Sequence, residues 1–82
     1  MTADAIRELD LHGCTVQQAK AAIDAALRKS HGIYRIRVIH GFHGGTALRD
    51  MIRREYAHRA GVLRIEIGLN QGETDLVLRE MF

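Results

Sequence analysis

The feature that most constrains this chain is a pair of strand-like segments that each end in His-Gly and lead directly into a helix-like segment. The first, residues 9–13, reads LDLHG, and the second, residues 38–45, reads VIHGFHGG. If the two strands are parallel neighbours, their carboxyl ends meet at one edge of the sheet, where open α/β sheets bind ligands. The amino-termini of two helices would share that edge, and their first amides attract anions. The pattern therefore points to a phosphate group, most simply one in a nucleic-acid backbone.

Hydrophobic spacing predicts the element order βαβαββ. Thr15 and Gln18 form a capping-box pattern at the start of the first helix. In the second and third strands, arginines alternate with aliphatic residues, which indicates one sheet face open to water. Right-handed crossovers place both helices on the other face, so we expect an α/β (α+β) two-layer sandwich of four strands and two helices. The predicted strands are 6–11, 33–39, 62–67 and 74–79, and the predicted helices are 16–29 and 46–58, the latter starting at 46 or 47.

The composition fits one small domain over residues 1–82, with a core over about residues 6–79. No apolar run is long enough to span a bilayer, and residues 1–8 do not read as a signal peptide. The single cysteine, Cys14, excludes an internal disulfide and fits a reducing compartment, so we expect a cytoplasmic protein with no membrane association. A net charge of +2 permits nucleic-acid binding without arguing for it.

Four motifs in this order resemble the small MutS-related domain, or Smr domain. They are DLHG at 10–13, IHG at 39–41, ALR at 47–49 and GET at 72–74, and the resemblance extends from about residue 7 to 79. It implies a mixed sheet like that of the carboxy-terminal domain of translation initiation factor three, with the fourth strand antiparallel to the others. It also implies DNA or RNA as a partner, since several Smr domains act as endonucleases with little sequence preference.

Three residues are candidates for catalysis. Asp10 and His12 are two apart, so on a strand their side chains share a face and could act as a base with its orienting carboxylate. Their alternative role is to cap the tight turn. His40 would stabilise charge on a substrate phosphate, or it is a hydrogen-bonded histidine at the edge of the core.

Phosphate binding is expected from the glycine-rich loop and from the start of the second helix. Glycine amides can approach an anion closely, although a plain turn needs the same glycines. Smr domains commonly carry a lysine, arginine or tryptophan in this loop, and here His43 is the nearest substitute for that cation. Arg49 could clamp a phosphate or remain solvated. The candidate phosphate-binding residues are Gly13, Gly41, His43, Gly44, Gly45 and Arg49.

The sequence thus predicts a nucleic-acid-binding domain, acting as a weak endonuclease or as a non-catalytic module that binds nucleic acid or a protein. No zinc pattern is present, while a divalent metal held by Asp10 and one histidine is compatible with the residues. Arg35, Arg37 and Arg64 either follow a nucleic-acid backbone or solubilise the open sheet face, and we favour the second reading. The choice of DNA or RNA, metal dependence and oligomeric state stay open.

Overall fold

The computed structural model describes residues 6–42 and 46–80, and it confirms the predicted element order. The bounds differ from those predicted by a few residues, and α2 ends at Glu55 because Tyr56 already forms its carboxyl cap. Among the described residues, neither helix is long and apolar enough to cross a membrane. The elements are β1 (Ile6–Asp10), α1 (Val16–Arg28), β2 (Arg35–Ile39), α2 (Ala47–Glu55), β3 (Arg64–Glu66) and β4 (Glu73–Val77).

The four strands form one mixed sheet in the order β1-β2-β4-β3. β1 and β2 are parallel, whereas β4 lies between β2 and β3 and runs antiparallel to both. The expectation of an antiparallel fourth strand is therefore confirmed. The predicted strand over 62–67 is reduced to Arg64–Glu66, and the flanking Leu63 and Ile67 are about half exposed. β3 lies at the edge of the sheet and pairs only with β4, so these neighbours gain no cover on their outer side.

The core lies on one face of the sheet, as a two-layer sandwich requires. Ile36 and Val38 of β2 stand opposite Leu76 and Thr74 of β4, and all four are fully buried. Both helices pack their buried residues against this face, which confirms that they occupy the same side. Those residues are Ala19, Ile23 and Ala26 of α1, Met51 and Ile52 of α2, and Tyr56.

Tyr56 links the two helices through a partly buried hydrogen bond. Its hydroxyl donates to Oδ1 of Asp24 at 2.7 Å, and Arg59 donates to the same oxygen at 2.8 Å. The Arg59 guanidinium also lies over the Tyr56 ring, 4.6 Å from its centre. Burial and the Asp24 carboxylate raise the pKa of Tyr56 to about 12, so the hydroxyl remains a donor across the physiological pH range.

The second face of the sheet carries a network of ion pairs centred on Asp75. The Asp75 carboxylate, only 8% exposed, accepts hydrogen bonds from Arg35 at 2.7 Å and from Arg37 at 3.0 Å. Glu66 pairs with Arg35 and with Arg64, each at 2.9 Å. The arginines of this face are thus matched by carboxylates, which favours a solvated, internally paired surface over a track for nucleic acid.

We expect Asp75→Asn to lower the free energy of unfolding by about 2–3 kcal/mol at neutral pH, because it leaves two half-buried guanidinium groups without their shared carboxylate. Urea denaturation measures this effect. The control is Glu80→Gln, which breaks an exposed pair with Arg64 and should cost less than about 1 kcal/mol.

Comparing wild type with Asp75→Asn at different pH values also tests how the free energy of unfolding depends on pH. Burial alone would raise the pKa of Asp75, but hydrogen bonds from Arg37 and Arg35 outweigh burial and hold that pKa below its ordinary value. The stability from this carboxylate is therefore complete above a pH of about 4 and is lost as the pH falls through the lowered pKa. A difference from wild type that stays constant into strong acid would contradict the ion-pair explanation.

Candidate functional site at the carboxyl edge of the sheet

The two His-Gly motifs meet at the carboxyl edge of the parallel pair β1 and β2. Asp10 is in register with Ile39, and the Leu11 amide donates to the Ile39 carbonyl at 2.8 Å. Gly41 lies so close to His12 that an added Cβ would be 3.2 Å from the His12 Cβ, and its φ is +83°, a value that favours glycine. We call the surface formed by Asp10, His12, Gly13, Gly41 and Phe42 the rim.

Asp10 and His12 form a hydrogen-bonded pair on the rim. Oδ1 of Asp10 is 2.5 Å from Nδ1 of His12, and their side chains are 57% and 70% exposed. This hydrogen bond raises the pKa of His12 and lowers the pKa of Asp10. Because a carboxylate only accepts, Nδ1 carries the proton. Nε2 is therefore the His12 nitrogen that can meet a ligand.

His40 occupies a different environment, beneath the rim. Its ring is 5% exposed, with Nδ1 3.2 Å from the Gly41 carbonyl and Nε2 2.9 Å from the Thr74 hydroxyl. Arg53 donates from Nε to the same hydroxyl at 3.0 Å. The carbonyl requires the proton on Nδ1, so in the neutral ring Thr74 donates to Nε2. Burial lowers the pKa of His40 and favours that neutral form.

The placement of His40 favours a positioning role over the substrate-facing role that the sequence suggested. Both ring nitrogens are bonded within the protein, and the ring holds the carbonyl of Gly41. The Gly41 amide is also engaged, since it and the His40 amide donate to the Gly72 carbonyl at 3.0 and 2.9 Å. Gly41 therefore shapes the turn rather than offering its amide to an anion.

Two arginines one helical turn apart lie close to the rim. Arg49 is partly exposed and bonds to Asp50 at 3.2 Å, while Arg53 reaches inward to Thr74. Burial is the main cause that lowers the pKa of His40, and the positive charges of Arg53 and Arg49 lower it further. Nη2 of Arg53 is buried and has no hydrogen-bond partner among residues 6–42 and 46–80. Sequence reasoning missed Arg53, because nothing local marks it.

Both helix amino-termini that face this edge are partly satisfied by the chain itself. The predicted capping box is present, with Gln18 N donating to Thr15 Oγ1 at 3.1 Å and Thr15 N donating to Gln18 Oε1 at 2.9 Å. In α2, Thr46 makes no side-chain cap hydrogen bond, because its hydroxyl donates to the Asp50 carboxylate at 2.8 Å; that carboxylate instead places a negative charge in the first turn, which offsets the positive end of the helix. Attraction of an anion thus depends on His12 and the arginines more than on the helix ends.

The remaining predicted residues are placed as follows. Gly13 lies exposed in the turn after β1, and Cys14 packs half-buried against the core. His43, Gly44 and Gly45 lie outside the described residues. No group of three or more metal-ligating side chains occurs within the described part of the chain. Because the Asp10 carboxylate is bonded to Nδ1 of His12, it would orient a metal-binding Nε2 of His12 rather than share a metal ion with it.

The two rim motifs predict two histidines that titrate on opposite sides of the ordinary value of about 6.5. NMR titration should show the pKa of His12 raised by its bond to Asp10 and the pKa of His40 lowered chiefly by burial. Asp10→Asn should bring the pKa of His12 back down and leave that of His40 unchanged. Two identical titrations near the ordinary value would contradict the described hydrogen bonds.

Comparisons with known proteins show the family and the fold of this chain. A family model described as the Smr domain matches residues 9–75. The crystal structure of the Smr domain of Thermus thermophilus MutS2 is 31% identical, aligns with a TM-score of 0.81, and the match covers 90% of this chain and 99% of that chain. A comparison with curated proteins found no match. Since the family model spans most of the chain, the protein belongs to the Smr domain family.

Proposed function

We propose that the rim binds a phosphodiester group of DNA or RNA. The observation that carries this proposal is the Asp10–His12 pair, whose 2.5 Å bond is exposed on a surface shared with the second His-Gly turn. The raised pKa of His12 increases its charged fraction at neutral pH, and a charged imidazole donates a strong hydrogen bond to a phosphate oxygen. The resemblance to Smr domains, several of which cleave nucleic acids, supports the same substrate class.

The same groups support phosphodiester hydrolysis. In the neutral form, His12 accepts a proton at Nε2 from the water whose oxygen attacks phosphorus, while Asp10 holds the ring and stabilises the imidazolium that results. The bond from phosphorus to the leaving oxygen breaks, and that oxygen takes a proton from solvent. Arg49 supplies positive charge near the phosphate as negative charge develops on its oxygens. His40 acts as a positioning residue, because it fixes the Gly41 turn against which His12 packs.

A second candidate function is binding without cleavage. The observation that favours it is the engagement of both His40 nitrogens within the protein, which leaves His12 as the described imidazole exposed on the rim. Hydrolysis commonly uses an acid for the leaving oxygen as well as a base for the water. A single exposed imidazole among the described rim residues therefore fits binding at least as well as turnover.

Binding is tested by fluorescence anisotropy with labelled single-stranded and duplex oligonucleotides. His12→Ala should weaken binding about tenfold, the scale of one hydrogen bond to a charged group, and should reduce the salt dependence by about one phosphate contact. The matched control is His31→Ala. His31 is an exposed histidine just before β2, at the opposite edge of the sheet, so its loss should leave the affinity unchanged.

Cleavage is tested with plasmid DNA and single-stranded RNA, with and without added Mg²⁺ or EDTA. An activity of this site is lost in His12→Ala, falls strongly in Asp10→Asn and persists in His31→Ala. Equal nicking by wild type and His12→Ala would assign the activity to a contaminant and leave binding as the function. Absence of binding to every nucleic acid at low salt would overturn the proposal itself.

A further inference from the structure

Phe42 is an exposed aromatic ring that rests on Gly72, at the same edge of the sheet as the Asp10–His12 pair. It is 63% exposed, although large apolar side chains are usually covered. Its ring rests on Gly72, where an added Cβ would lie 3.1 Å from Cε2 and 3.3 Å from Cδ2 of Phe42. A side chain at Gly72 would push the ring away. The glycine therefore provides a seat for the ring.

The seat is itself fixed by hydrogen bonds. The Gly72 amide donates to Oδ1 of Asn70 at 2.9 Å, and the Gly72 carbonyl accepts from the His40 and Gly41 amides. The Phe42 ring thus contacts Gly72 on one side and is exposed to solvent over most of its surface. An aromatic ring that is both fixed in position and exposed is available to stack on a flat ligand.

Phe42 is also close to the proposed phosphate position. It follows Gly41 directly in the chain, and Gly41 packs against the Cβ of His12. A nucleotide whose phosphate meets Nε2 of His12 therefore has its base, or that of the next nucleotide, within reach of the Phe42 ring. Arg49 adds positive charge at the same edge, which suits a phosphate backbone that passes along it.

We infer that Phe42 stacks on an unpaired nucleobase and that the rim consequently selects single-stranded over duplex nucleic acid. The inference rests on the proposed phosphodiester-binding function and adds the substrate class. Every base presents a flat π face, so stacking on an aromatic side chain is strong and tolerant of sequence. In a duplex both faces of each base are covered by neighbouring pairs, and Phe42 gains a stacking partner only where the helix is frayed or open.

The sharpest test uses Phe42→Trp, because the chain contains no tryptophan and the variant then reports from this one position. Its fluorescence should be quenched by a short single-stranded oligonucleotide and much less by an abasic oligonucleotide of the same length and charge. A duplex of the same sequence should also quench weakly. Equal quenching by the abasic strand would overturn stacking while leaving phosphate binding intact.

Affinity provides a second readout on the otherwise unmodified protein. Phe42→Ala should weaken single-strand binding about fivefold or more and leave the weaker duplex binding nearly unchanged. Phe42→Leu keeps an apolar contact with Gly72 but lacks the π face, so it should resemble Phe42→Ala. Leu63→Ala is the matched control, since Leu63 is a 52% exposed apolar residue just before β3 at the opposite edge.

The outcomes separate the two proposals. Equal wild-type affinity for single strands and duplex, with Phe42→Ala reducing both or neither, overturns the inference about stacking, while a loss in His12→Ala still supports the phosphate site. No binding to any nucleic acid overturns both. Circular dichroism of each variant verifies that the fold is retained, as expected for an exposed side chain.

Discussion

The shape of the rim depends on the carbonyl oxygen of Gly72. It accepts hydrogen bonds from two consecutive amides, those of His40 and Gly41, and so ties the end of β2 to the start of β4. Because β1 pairs in parallel with β2, these hydrogen bonds also hold, through β2, the turn that carries His12. A buried carbonyl with two donors is fully satisfied, which makes this junction costly to open.

Charge is handled differently on the two surfaces of the sheet. On the open face, guanidinium and carboxylate groups are paired within the protein, and Asp75 accepts from two arginines at once. At the rim, Asp10 and His12 form a close ion pair that depends on protonation of the imidazole. Arg53 brings a further cation beneath this surface, with Thr74 as its partner on Nε. The permanently charged groups around Asp75 thus stabilise the fold, while the titratable Asp10–His12 pair is exposed on the rim.

The sequence predicted what depends on local pattern. Strand and helix order follow from hydrophobic periodicity, the capping box from Thr15 and Gln18, and the shared side of Asp10 and His12 from their spacing of two. The meeting of the two His-Gly motifs follows from parallel pairing. Each of these features depends on residues close together in the sequence or on a short crossover, so the local sequence pattern is enough to predict it.

The features that the sequence did not predict all join distant positions. The insertion of β4 between β2 and β3, the contact of Asp75 with Arg37, and the chain from Arg53 through Thr74 to His40 depend on pairing across the sheet. A histidine at the end of a strand reads the same whether its ring faces a ligand or is bonded to a threonine in another strand. The contact of Phe42 with Gly72 could not be predicted either, since a glycine in a turn is explained by the turn itself.

The position of β1 at the edge of the sheet makes one part of the rim easier to unfold locally than the other. Within residues 6–42 and 46–80, β1 pairs with β2 alone, whereas β2 is held by β1 on one side and β4 on the other. Fraying of that outer strand would carry Asp10 and His12 away from the Gly41 turn, while His40, Thr74 and the core beneath them stayed folded. Local unfolding thus reaches Asp10 and His12 first, while the Gly41 turn against which His12 packs is held in the middle of the sheet.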